Sequence, residues 1–225
     1  ATAKITNNLS NRNLIINGEF QIAQRNTSIN NSTGIYSVDR FGVMAENHNE
    51  SPDQLQLGLS SSDTGPWAKG HRYAYQITNG DQTGGAGTSD RMEIYTNLEA
   101  REIASSGWDY TSTSSYITLS FWVKSSVAQN FYGYIQTFDG SGQRYPVETG
   151  SLSANTWTKI TKTIPGNSNI TIDSNNEKGL AIIFTQFLGT ALTGSTSLNT
   201  WAAWDTAVRT PDQTSTWYTT NNATF

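Results

Sequence analysis

Aromatic side chains at alternating positions carry the clearest chemistry in this chain. In residues 131–138, Tyr132, Tyr134 and Phe138 share one side of an extended segment, because successive strand side chains point to opposite faces. Trp122 falls opposite Ile117, Leu119, Phe121 and Val123 in the preceding apolar run, while Trp108 and Trp204 stand in loop-like stretches. Flat rings stack on the apolar faces of sugars, and neighbouring amides and carboxylates bond the hydroxyls. The same rings also serve to cover a second sheet or a subunit contact. Two readings therefore stand side by side: a glycan surface and plain burial.

Catalytic groups form no such pattern. His48 and His71 lie in loop contexts, and no G-x-S-x-G nucleophile elbow occurs. Among the carboxylates, Glu93, Glu99, Glu102, Asp139 and Glu148 show no spacing that singles out the close pair a glycosidase needs. The expectation is no enzyme. Oxygen-rich turns at Asp139-Gly140-Ser141-Gly142 and at Asp173 to Glu177 offer ligands for a hard cation. They read more readily as ordinary hairpin turns, since Asp-Gly is a strong turn pair. A structural calcium at Asp139, or at Asp173 and Glu177, is thus the one cofactor expected, if there is any. Arg25 and the Asp39-Arg40 step suggest a structural ion pair that fixes a loop.

These groups must be held by a chain poor in charge. Only 14% of its 225 residues are charged and 35% are hydrophobic, whereas 7 Trp, 10 Tyr and 8 Phe supply bulk for a core. The net charge of −4, with no basic run, excludes nucleic-acid binding through phosphate neutralisation. No apolar stretch approaches a membrane span, so no membrane insertion is expected. The chain has no Cys, which suggests synthesis in a reducing cytoplasm.

The polar residues 1–12 read as an N-terminal arm or linker. Residues 13–225 read as one β-sandwich domain. Strands are predicted at 14–20, 40–45, 54–60, 73–78, 92–95, 116–124, 131–138, 156–164, 179–187 and 216–220, with a helical turn near 99–104. Many short strands between turn signals imply an all-β, antiparallel sandwich with long loops at 60–70, 79–89 and 189–216 and little helix.

The order of several motifs resembles the jelly-roll-like β-sandwich domains of tailed-bacteriophage fibre and virion structural proteins. Asn13-Leu14-Ile15-Ile16-Asn17-Gly18-Glu19-Phe20-Gln21-Ile22-Ala23-Gln24-Arg25 is similar to their opening stretch, and Tyr36-Ser37-Val38-Asp39-Arg40-Phe41 to the next. Residues 117–136, 155–167 and 179–190 follow in the family's order. The resemblance implies a non-enzymatic virion surface protein, made in the host cytoplasm, such as a tail fibre, receptor-binding protein or capsid-attached fibre. It would recognise a host-envelope glycan, as a homotrimer among other virion proteins. A ligand-free capsid decoration or connector is the alternative, and a carbohydrate-binding module of an enzyme a more distant one. Similar carbohydrate-binding jelly rolls hold calcium at an N-G-x-F-E step, but here Gln21 follows Phe20. In the resembled domains a last strand continues beyond the equivalent of Ala223-Thr224-Phe225, so a final strand is expected to be missing or supplied by another chain. Adhesion is expected to rest on stacking and neutral hydrogen bonds, with little dependence on salt.

Overall fold

Residues 91–99 show how the architecture arises. Met92, Ile94, Thr96 and Leu98 alternate with Arg91, Glu93, Tyr95, Asn97 and Glu99; the first set is buried and the second, Glu93 apart, only partly so. Such alternation gives a strand one face for a core and one for other uses. The computed structural model describes residues 13–225, and the predicted arm at 1–12 lies outside them.

The elements run β1 (Ser28–Ile29), β2 (Phe41–Glu46), β3 (Asp53–Gly58), β4 (Tyr73–Thr78), β5 (Arg91–Glu99), α1 (Ala100–Ala104) and β6 (Tyr116–Val123). They continue as β7 (Asn130–Thr137), β8 (Gln143–Ser151), β9 (Thr158–Pro165), β10 (Lys178–Leu188), β11 (Ala202–Ala203) and α2 (Thr216–Thr219). One layer is a six-stranded sheet in the order β11-β8-β7-β10-β5-β2. The other is made from β1-β3-β4 and the β6-β9 pair. Every strand ladder is antiparallel. This is the all-β sandwich that the alternation predicts.

The core lies between the layers in two joined clusters. Phe41, Val43, Met92, Ile94 and Phe187 of the large sheet meet Tyr75, Ile77, Val123 and Ile160 from the smaller sheets. Leu98, Ile135, Tyr145, Leu180 and Ile182 meet Leu119 and Ile164. Ile117, Leu119, Phe121 and Val123 do share the inward side of β6; Leu119 and Val123 are fully buried and the other two partly. Phe121 sets its edge against Phe184, with ring centroids 4.7 Å apart, and joins the two clusters.

Two predicted strands are something else. Residues 14–20 form a turn in which the Phe20 amide donates to the Asn17 carbonyl at 2.9 Å. Asn17 and Phe20 both take left-handed backbone conformations, with φ of 57°. Residues 216–219 form α2, which buries Trp217 and Tyr218 completely. In the other direction, β8 was unexpected because Pro146 and Gly150 interrupt it. The Pro146 carbonyl accepts from the Asn199 amide, which places that residue's polar side away from β7. A missing N–H there removes no bond from the β7–β8 ladder.

The final residues are paired. Ile77 and Phe225 exchange backbone hydrogen bonds of 2.8 and 2.9 Å, and the Asn79 amide donates to the Ala223 carbonyl. Thr224 in turn accepts from the Ser126 amide and donates to Ser126 Oγ. Residues 223–225 thus form a seam between β4 and the segment after β6. Buried Asn79 secures the same corner: its Nδ2 donates to the carbonyls of Trp217, Tyr218 and Thr220 at 3.4, 2.6 and 3.1 Å.

Candidate functional site on the outer face of the large sheet

The face of the six-stranded sheet turned away from the core gathers four of the six predicted aromatic residues. Tyr132, Tyr134 and Phe138 project there from β7 and the residue after it, and Trp204 comes down from the loop after β11. Ile183 and Leu188 of β10 complete a small apolar cluster with Tyr134, Phe138, Trp204 and Tyr95.

Their accessibility differs sharply. Tyr134 is only 1% exposed, with the Trp204 ring centroid 5.8 Å from its own. Its hydroxyl donates to Glu93 Oε1 at 2.9 Å. Burial and the Glu93 carboxylate hold its pKa well above the usual phenol range. Glu93 also accepts from Arg91 Nε at 2.5 Å and faces Arg209 Nη1 at 3.8 Å. This buried polar network anchors the covering loop, so Tyr134 is a structural residue and the predicted stacking role is corrected. Trp108 is corrected likewise: it sits at 6% exposure in the core against Tyr110.

Phe138 is partly exposed, but Lys178 Nζ lies over its ring, 3.6 Å from the centroid. A ligand cannot stack on that face while the ammonium occupies it. Trp122 belongs to the opposite side of the molecule, on the outer face of β6. There its ring packs on Gly65, whose left-handed φ of 102° and lack of Cβ permit the approach. Beside it, Asp63 accepts from Trp157 Nε1 at 2.9 Å, Lys124 Nζ at 3.2 Å and Ser60 N at 3.0 Å. These donors lower its pKa from 3.8 to about 2. The arrangement clamps the 60–70 loop to β6 and β9.

An open cleft of about 250 Å³ lies at one end of the outer face. Ile35, Arg40, Asn97, Glu99, Asn176 and Lys178 line it. Asn97 and Glu99 stand on the outward side of β5 in line with Tyr95. The Tyr95 ring crosses Gly42, where a Cβ would come within 2.8 Å of the ring and 2.9 Å of Ile35. Tyr95, partly exposed, thus stands next to the cleft beside Ile35, while the lining itself holds two amides and two cations and no aromatic ring. The outward stripe Tyr95-Asn97-Glu99 was not singled out from the sequence, although its alternation with Ile94, Thr96 and Leu98 marks it.

The predicted ion pair is also rebuilt. Among the described residues, Asp39 bonds neither Arg25 nor Arg40. Asp39 Oδ1 accepts from the Gln24 amide, and Arg25 donates to the Ile35 carbonyl at 3.4 Å. Asn17 closes the loop by donating to the carbonyls of Ile22 and Asp39.

For calcium, the two turns do meet: the Asp173 amide donates to Asp139 Oδ2 at 2.9 Å. Yet Glu177 is exposed, and no group of three or more His, Asp or Glu able to hold a metal occurs among the described residues. The catalytic groups are similarly separate. His48 Nε2 lies 2.8 Å from Ser51 Oγ, but His48 Nδ1 has no hydrogen-bond partner, so no third group orients the ring. Glu99 and Glu102 cap α1, and Glu148 accepts from Asn130.

No family model and no curated protein matches this chain. Among solved structures, it is similar to the enzymatically active domain of tailspike protein 4 of bacteriophage CBA120, at 9% identity and a TM-score of 0.42. That likeness covers 79% of this chain and 20% of the tailspike chain, so this chain spans about a fifth of the latter's length. A family 11 carbohydrate-binding module from Clostridium thermocellum, in complex with a β-1,3-1,4-mixed-linked tetrasaccharide, is similar at 13% identity and a TM-score of 0.32. It covers 71% of this chain and 92% of the module.

Proposed function

We propose that this protein is a non-enzymatic glycan-recognition domain of a bacteriophage virion surface, working as a homotrimer beside other virion proteins. The observation that carries this reading is the open cleft at the end of the large sheet, lined by Asn97, Asn176, Arg40 and Lys178, with Tyr95 two residues before Asn97 on the same side of β5. Convergent amides with an aromatic ring alongside suit a sugar, whose faces are apolar and whose rim is hydroxylated. The motif order in residues 13–225 supports the virion setting. Each single site binds weakly, and a trimer compensates through avidity.

A second reading, a ligand-free decoration or connector, is favoured by one observation. Phe138 and Trp67 each have a cation over the ring, at 3.6 and 3.8 Å, so those faces are already covered. Attachment of purified protein to host cells and to a glycan array separates the two. Under the glycan reading, Tyr95→Ala and Asn97→Ala each weaken attachment at least about tenfold. Wild-type protein that binds no glycan and no cell would leave the decoration reading in place. Light scattering tests the trimer.

A further inference from the structure

We infer that the sugar received by this cleft bears an anionic substituent; this rests on the glycan reading and specifies its ligand class. The chain carries 14 Lys and Arg against 18 Asp and Glu, for a net charge of −4. Against that background, two cations, Arg40 and Lys178, line one small cleft. The only carboxylate in the lining, Glu99, has Arg101 Nη2 at 2.8 Å. No carboxylate reaches Arg40 or Lys178 among the described residues. The cleft therefore presents two uncompensated positive charges inside an acidic protein.

Their setting adds to the effect. Arg40 sits in a left-handed backbone conformation, φ 72°, with its carbonyl held by Thr96 Oγ1 at 3.0 Å. An arginine is an unusual choice there, since non-glycine residues rarely adopt positive φ. Its neighbour strand thus fixes where the guanidinium stem begins. Lys178 lies over Phe138, and partial desolvation there lowers its pKa. An ammonium partly shielded from water and without a carboxylate partner gains from an arriving anion. Arg offers a planar fork and Lys a point charge, a pair suited to a carboxylate or a phosphate. Asn97 and Asn176 remain for ring hydroxyls. The shared chemistry is a negatively charged group on a sugar ring, from a uronate or from a phosphorylated sugar.

The test is a titration of isotope-labelled protein, followed by amide NMR shifts, with glucuronate, glucose 6-phosphate and glucose. The expected result is that one or both anions shift the Asn97, Asn176 and Lys178 signals about tenfold more tightly than glucose, as charge-assisted bonds are the stronger ones. The tighter anion identifies the source of the charge. Lys178→Gln and Arg40→Gln, checked for unchanged signals elsewhere, should each abolish the preference. Equal affinity for glucose, or no shift with either anion at high millimolar concentration, overturns the inference. Cell attachment distinguishes the two levels. If Lys178→Gln and Arg40→Gln attach as wild type while Tyr95→Ala does not, the charge inference falls and the glycan reading stands. If Tyr95→Ala and Asn97→Ala also attach as wild type, the site itself is wrong.

Discussion

Replacing Asp63 by Asn isolates one carboxylate's share of the stability. Asp63 Oδ1 accepts from Trp157 and Lys124, while Oδ2 accepts from the Ser60 amide at 3.0 Å and the Ser60 hydroxyl at 3.2 Å. A pKa that falls from 3.8 to about 2 corresponds to at most roughly 2.4 kcal/mol, at 1.36 kcal/mol per pH unit. Water reaches this side chain, which is 18% exposed, and screening leaves about 1 kcal/mol. The Asn amide also faces the Ser60 N–H with a donor, for about 1 kcal/mol more. The folded-state pKa lies below the unfolded one, so the charge contribution is complete above about pH 4 and is lost as pH falls through about 2. Urea unfolding should therefore show Asp63→Asn less stable than wild type by about 2 kcal/mol at pH 7, with the gap narrowing by about 1 kcal/mol near pH 2. A gap that is the same at both pH values would refute a clamp based on the ionised carboxylate.

Two further outcomes follow from packing. Phe121→Ala should destabilise by about 3 kcal/mol in urea, the lower end for a large ring because Phe121 is only partly buried; a loss below about 1 kcal/mol would mean that its contact with Phe184 is incidental. Asn79→Asp replaces three N–H contacts to carbonyls by a buried charge, and should lower stability by about 3 kcal/mol. Hydrogen exchange at the Phe225 amide, which donates to the Ile77 carbonyl across the seam, should accelerate with it, and unchanged protection there would show that Asn79 does not hold the seam.

Strand legibility tracked how plainly a segment alternates. Residues 73–78 and 116–123 carry clean period-two patterns and appear almost to the residue. Residues 14–20 contain the apolar Leu14, Ile15 and Ile16 but turn at Asn17, because Asn17 closes on Ile22 and Asp39, contacts no local pattern reveals. The outward face of β7 was legible as a set. Which of its rings stay open was not, because the cover over Tyr134 comes from Trp204, seventy residues on. Composition likewise pointed to neutral recognition, since the few cations are spread thinly along the chain. Only the fold places Arg40 and Lys178 on one cleft.

The seam at residues 223–225 has a consequence for how the molecule is made. Thr224 bonds Ser126 across 98 positions, and Asn79 reaches Trp217 across 138. During synthesis β3, β4, β6 and β9 all emerge before the strip that joins them. The smaller layer must wait, with the inner face of the large sheet incompletely roofed, until that strip arrives. Pairings this distant in sequence make for slow closure, and exposed strand edges in the interval invite association between nascent chains. Mispairing between chains would thus be most frequent in the moments before the seam forms.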